Sequence, residues 1–83
     1  MYLPRAMVYY VTDKREELLA TFEPDEMFVS VSIYFEEKDP DIDWASMGLM
    51  VEGMFEDYEK CESAADVQKW ARQFRDEIKV KLV

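Results

Sequence analysis

The chain contains no histidine, and that absence removes a large share of ordinary active-site chemistry. Without imidazole there is no general base poised near neutral pH, no Ser-His or Cys-His pair and no histidine ligand for a transition metal. Cysteine is nearly absent too. Cys61 stands alone, so no internal disulfide can form, the zinc motifs are excluded, and a reducing cytosol fits best. Its neighbours Glu59 and Glu62 disfavour a thiolate, so Cys61 reads as a half-buried structural thiol near a helix end. Glycine occurs twice and proline three times, which leaves little chain for long irregular loops. No run approaches the roughly 18–20 apolar residues of a membrane helix, and the N-terminus lacks the pattern of a secretory leader. Together these absences point to a cytoplasmic protein that is not an enzyme, with no catalytic residue, cofactor or metal expected.

Positive charge is also scarce, and its placement is uneven. Ten Lys and Arg face nineteen Asp and Glu, a net charge of −9. Residues 36–66 alone carry eleven carboxylates against two lysines, a net −9 equal to that of the whole chain. Residues 1–35 hold six acids and three bases, and residues 67–83 hold two acids and five bases, so the flanks cancel. Such a chain is repelled by nucleic acid and by anionic lipid, so neither is expected as a direct partner. Charge concentrated in this way is a feature that a partner protein can read.

What remains is rich in apolar residues, at 49% of the 83, enough for one small folded domain spanning 1–83. Residues 1–36 read mainly as strands and residues 39–83 mainly as helices. Residues 5–12 are rich in Val and Tyr and read as a strand. Residues 27–36 form the clearest strand, with Val29, Val31, Ile33 and Phe35 alternating against Ser30, Ser32 and Tyr34. Between them, Asp13 and Glu16 fit a capping box opening a short helix through Thr21, or a turn followed by a strand over 17–22. The strand is preferred, because a parallel crossover normally needs a dozen or more residues. A type I turn with Pro24 at its second position then leads onward.

Asp39-Pro40 reads as a helix start, and Met47, Met50, Val51, Met54, Phe55 and Tyr58 form a core-facing stripe beginning near Trp44. Ser63 and Asp66 cap a second helix with the stripe Val67, Trp70, Ala71, Phe74 and Ile78. In the tail, Ile78, Val80 and Leu82 alternate with Lys79 and Lys81, so the last residues either continue that helix or leave it as a strand. The expected fold is α+β: a small antiparallel sheet of about three strands, a meander, packed against two C-terminal helices. The expected core holds Val29, Val31, Ile33, Phe35, Met47, Val51, Met54, Trp70 and Phe74.

Several constellations suggest chemistry and have plainer explanations. Asp39, Asp41 and Asp43 resemble the opening of a calcium loop, yet Trp44 and Met50 occupy the positions where that loop needs Gly and Glu. A capped acidic helix start explains them. Gly48 and Gly53 sit inside the first helix, where each costs about 1 kcal/mol relative to Ala, and close packing is the expected reason. Met47, Met50 and Met54 recur at helical spacing and read as core filling.

The acidic row is harder to explain locally. Glu52, Glu56 and Glu59 follow one side of the first helix, and Asp57, Glu62 and Asp66 extend the charge into the turn and the second helix. Like charges at i,i+4 destabilise an isolated helix by a few tenths of a kcal/mol. These six are the expected partner-binding residues, with Trp44, Tyr58 or Tyr34 as apolar anchors; the alternative is that the acids only keep a small protein soluble.

The order of meander, then acidic helical pair, resembles the small phage-encoded anti-CRISPR inhibitors of type II nucleases. The likeness rests on residues 55–60 (FEDYEK) leading into Trp70 and on the tail over 78–82 (IKVKL), and it covers about half the chain. The N-terminal helix expected of such an inhibitor has no counterpart here. The resemblance implies a DNA mimic: carboxylates stand in for phosphates and occupy a basic groove of a DNA- or RNA-processing enzyme, in a host-cell cytoplasm if phage-encoded. The other class that fits the charge map is a small cytosolic interaction module or homodimer with a structural or regulatory role, in which Arg72, Arg75, Lys79 and Lys81 of one copy meet the acidic helix of another.

Overall fold

The computed structural model describes residues 3–13, 15–24, 29–31 and 43–83, with the backbone alone at 29–31. The described residues form strands β1 (Ala6–Val11), β2 (Glu16–Phe22), β3 (Val29–Val31) and β4 (Ile78–Leu82), with helices α1 (Trp44–Glu59) and α2 (Ala64–Ala71) between β3 and β4. The sheet order is β3-β2-β1-β4 and every neighbouring pair is antiparallel. This is an α+β fold built on an antiparallel meander, as the alternation predicts.

Residues 16–22 are strand, and the helical alternative for 13–21 does not hold. The reason is visible in the hairpin. Thr12 Oγ1 accepts from the Arg15 N–H at 3.2 Å and the Thr12 N–H donates to the Arg15 carbonyl at 2.9 Å. The chain therefore reverses within four residues and β2 pairs back onto β1. A bulge then sets β2 against its own pattern. Val8 pairs with Ala20 but Tyr9 pairs with Leu18, so Leu19 is an extra residue on β2. Consecutive Leu19 and Ala20 are both fully buried, which a regular strand with period two does not allow.

The tail leaves the second helix. α2 stops at Ala71 rather than running on through Phe74 and Ile78, and Ile78 instead opens β4. Strand β1 offers a second hydrogen-bonding edge, and residues 78–82, with their period of two, pair along it from Ile78 opposite Tyr10 to Leu82 opposite Ala6. Phe74 is partly buried and packs edge-on against Trp70, with ring centroids 5.3 Å apart.

The helices cover the sheet face that carries Ala6, Val8, Ala20 and Phe22. From α1 come Trp44, Met47, Val51, Met54 and Tyr58, all buried, and from α2 come Val67 and Trp70. Phe22 sits at the centre, with the rings of Tyr58 and Trp70 each 5.4 Å away. Two hydrogen bonds lock this cluster: Tyr58 Oη donates to the Pro4 carbonyl at 2.9 Å, and Trp70 Nε1 donates to the Met54 carbonyl at 3.0 Å. Met47, Val51, Met54 and Trp70 thus lie in the core as expected. The side chains of Val29, Val31, Ile33 and Phe35 lie outside the described residues.

Candidate functional site

Helix α1 turns one face to the core and the opposite face to solvent, with Gly48, Met50 and Phe55 half-buried between them. Asp43 caps it, accepting from the Ser46 N–H at 3.2 Å and from Ser46 Oγ at 2.6 Å. The Ser46 hydroxyl is the larger cause, and its N–H the second, of an Asp43 pKa below the ordinary 3.8. Asp43 is therefore engaged as a cap and not free as a calcium ligand, while Asp39, Pro40 and Asp41 lie outside the described residues. With the core stripe fixed inward, Glu52, Glu56, Asp57 and Glu59 face solvent, and Glu62 and Asp66 are exposed beyond them. All six predicted acids are exposed: Glu52, Glu56 and Glu59 fall within about 60° of one another around α1, Asp57 lies about 100° round from Glu56, and Glu62 and Asp66 follow in the turn and α2.

Their electrostatic setting is unfavourable to the fold. Glu56, Asp57 and Glu59 crowd the last turn of α1, which holds no basic residue, against the negative end of the helix dipole. Among the described residues none of the six joins an ion pair; the pairs that form are Arg5–Glu23, Arg15–Glu17, Arg75–Glu77 and Lys81–Glu16. Asp66 differs from the rest. Its N–H donates to Ser63 Oγ at 3.2 Å and its carboxylate accepts from the Glu62 N–H at 3.1 Å, so it closes the cap of α2. Five of the six carboxylates have no comparable structural duty.

An open depression of about 330 Å³ lies beside this turn, lined by Asp57, Lys60, Cys61, Asp66, Lys69, Trp70 and Gln73. Here Asp57 and Asp66 share the lining with Lys60 and Lys69, so these two of the six acids sit among charges of both signs. Cys61 Sγ donates to the Asp57 carbonyl at 3.6 Å. Partial burial, then the charges of Asp66 and Asp57, raise its pKa above the ordinary 9.0, so it stays a thiol at neutral pH and is a poor nucleophile.

The expected anchors need correcting. Trp44 and Tyr58 are buried in the core and cannot meet a partner, because both belong to the inward stripe of α1. Tyr34 lies outside the described residues. The apolar side chain that α1 does present is Leu49, at 69% exposure. A helical wheel carries the signal: Leu49 falls on the face opposite Val51, Met54 and Tyr58. Gly53 is corrected as well. It is exposed, and a Cβ built on it would meet nothing within 4 Å, so close packing does not explain it. Gly48 is half-buried. Among the bases of the tail, Arg75 and Lys81 are held by Glu77 and Glu16 of the same chain, with Lys81 Nζ 2.7 Å from its partner. No helix among the described residues is long and apolar enough to cross a membrane. Comparison with protein-family models, curated proteins and solved structures finds no match to this chain.

Proposed function

We propose that this protein is a non-enzymatic inhibitor whose acidic α1 surface occupies the basic nucleic-acid groove of a DNA- or RNA-processing enzyme, such as a CRISPR nuclease. One observation carries the reading: Glu52, Glu56, Asp57, Glu59 and Glu62 are exposed and lack ion pairs among the described residues, and three of them, Glu56, Asp57 and Glu59, stand in the last turn of α1, where the helix dipole opposes them. The fold gains nothing from that placement, whereas a strip of Lys and Arg gains a complementary field. Glu52, Glu56 and Glu59 rise about 6 and 4.5 Å along the axis, against roughly 3.4 Å of axis per phosphate on one DNA strand. The row is thus a sparser, rigid stand-in for a phosphate backbone. A head-to-tail homodimer is less well supported, since Arg75 and Lys81 already pair within the chain.

The test is competition. A labelled DNA duplex on a guide-loaded type II CRISPR nuclease, a repair glycosylase and a restriction endonuclease is titrated with the protein, followed by anisotropy. Displacement from at least one enzyme, weakening with salt, is expected. Glu56→Lys with Glu59→Lys should fold and yet lose about 2–5 kcal/mol of binding if the carboxylates are desolvated against Arg or Lys. A folded double variant that competes as well as the parent, or a parent that displaces DNA from none of the three, overturns the proposal.

A further inference from the structure

Two features of α1 have no role in the fold, and they lie together. Leu49 and Val83 are the large apolar side chains left exposed among the described residues, and Leu49 is the more exposed, at 69%. Gly53, four residues on, is exposed mid-helix with open space where a Cβ would stand. A single exposed leucine is unremarkable on a protein surface. An exposed leucine one turn from a glycine that weakens its own helix is a different matter. With about 100° per residue, Glu56 lies almost directly above Leu49, Gly53 flanks it on one side and Glu52 on the other. The apolar spot and the bare backbone are therefore inside the acidic surface, not beside it.

We propose that Leu49 and Gly53 form the docking seam at the centre of this face, and that its occupant is a cationic helix of the partner; this rests on the reading of the acidic surface given above. The occupant's apolar ridge packs around Leu49 and its backbone crosses close at Gly53, where a small residue lets two helices approach to about 8 Å. Its Arg or Lys side chains meet Glu52 and Glu56 at the rim. Charge selects this occupant. A second copy presenting the same face would set Glu52 and Glu56 against themselves, and nucleic acid or an anionic membrane would be repelled. A polar cationic strip would leave Leu49 in water. Only a partner that is both basic and apolar, with a backbone that can approach Gly53, satisfies all four residues. The physics matches that of other interfaces, in which an apolar anchor supplies lasting affinity and a charged rim supplies orientation.

Two synthetic helical peptides of about five turns and equal positive charge serve as probes, one with leucines at i, i+3, i+4 and i+7 and one with serines there. The parent protein should bind the leucine peptide about tenfold more tightly than the serine peptide. Leu49→Ala and Gly53→Ala should each remove most of that preference while leaving the serine peptide's affinity unchanged. Gly53→Ala should at the same time raise the melting temperature by about 5 °C, since the added methyl meets nothing and alanine is the better helix former. Glu52→Lys with Glu56→Lys should weaken both peptides. Equal binding of the two peptides by the parent, or an undiminished preference in Leu49→Ala and Gly53→Ala, overturns the seam and leaves the acidic surface standing. Failure to bind either peptide overturns both. A lower melting temperature in Gly53→Ala overturns the seam too, because the glycine would then serve the fold.

Discussion

Asp43 and Glu56 are both exposed acids on α1, yet one maintains the helix and the other strains it. Asp43 stabilises α1 because its carboxylate accepts two hydrogen bonds from Ser46 at the end where orphan N–H groups need partners. A pKa below 3.8 in the folded state means that this stabilisation is present above that pH and is lost as pH falls through the lower folded value. Asparagine caps a helix as well as aspartate but carries no charge. The melting temperature of the parent relative to Asp43→Asn should therefore be constant above about pH 5 and fall as pH drops below about 4. Thermal melts across that range decide it, and a difference that does not change would show that the charge on Asp43 is irrelevant to the cap. Glu56 has no such partner, which is why its removal is expected to help the helix and harm only binding.

Among the elements, β4 extends the sheet beyond β1, pairing with it along all five of its residues. The Val83 N–H donates to the Arg5 carbonyl and the Val11 N–H to the Glu77 carbonyl, which sets the phase of the ladder. Residues 77, 79, 81 and 83 turn their backbone groups toward β1, while 78, 80 and 82 turn theirs to the other edge, which has no partner strand among the described residues. Lys79→Pro should accordingly remove a ladder bond and cost about 1–3 kcal/mol in urea unfolding, whereas Lys79→Thr should stay within about 0.5 kcal/mol. Equal stability of the two variants would mean that β4 is not paired at this position. The two lysines of β4 also guard that outer edge. A second β4 laid antiparallel about Val80 would bring Lys79 against Lys81, a like-charge contact that discourages self-pairing.

At the scale of the molecule, charge and packing pull in opposite directions. The core is a single cluster running from Ala6 to Ile78, with Phe22 between the rings of α1 and α2, and it must offset the self-repulsion of a net −9. Salt should therefore stabilise the protein. Raising ionic strength from about 0.01 to 0.1 M shortens the screening length from about 30 to 10 Å, and the melting temperature should rise with it. Glu56→Lys with Glu59→Lys should gain about 1 kcal/mol, roughly 5 °C, at low salt, and that gain should shrink as salt is added. A double variant no more stable than the parent at low salt would show that the acidic row carries no strain.

The sequence alone determined the α+β class, the meander, the inward stripe of α1 and the exposure of the six acids, because these follow from local periods of 2 and 3.6 that burial of one face enforces. Ser63 and Asp66 were legible for the same reason: a cap is settled within four residues. Tertiary contacts decided the rest. The bulge at Leu19 appears only when β2 is held against β1. The tail left its helix because β1 had an unpaired edge to offer, something no window of residues 67–83 contains. The core claimed Trp44 and Tyr58 because Tyr10, Phe22, Trp70 and the Pro4 carbonyl, all distant in sequence, surround them. That burial left Leu49 and Gly53 at the centre of the acidic face. Local pattern specifies which face of an element is apolar, and so already set Leu49 apart; only the packed molecule specifies which residues of the apolar face are enclosed and which stay partly exposed.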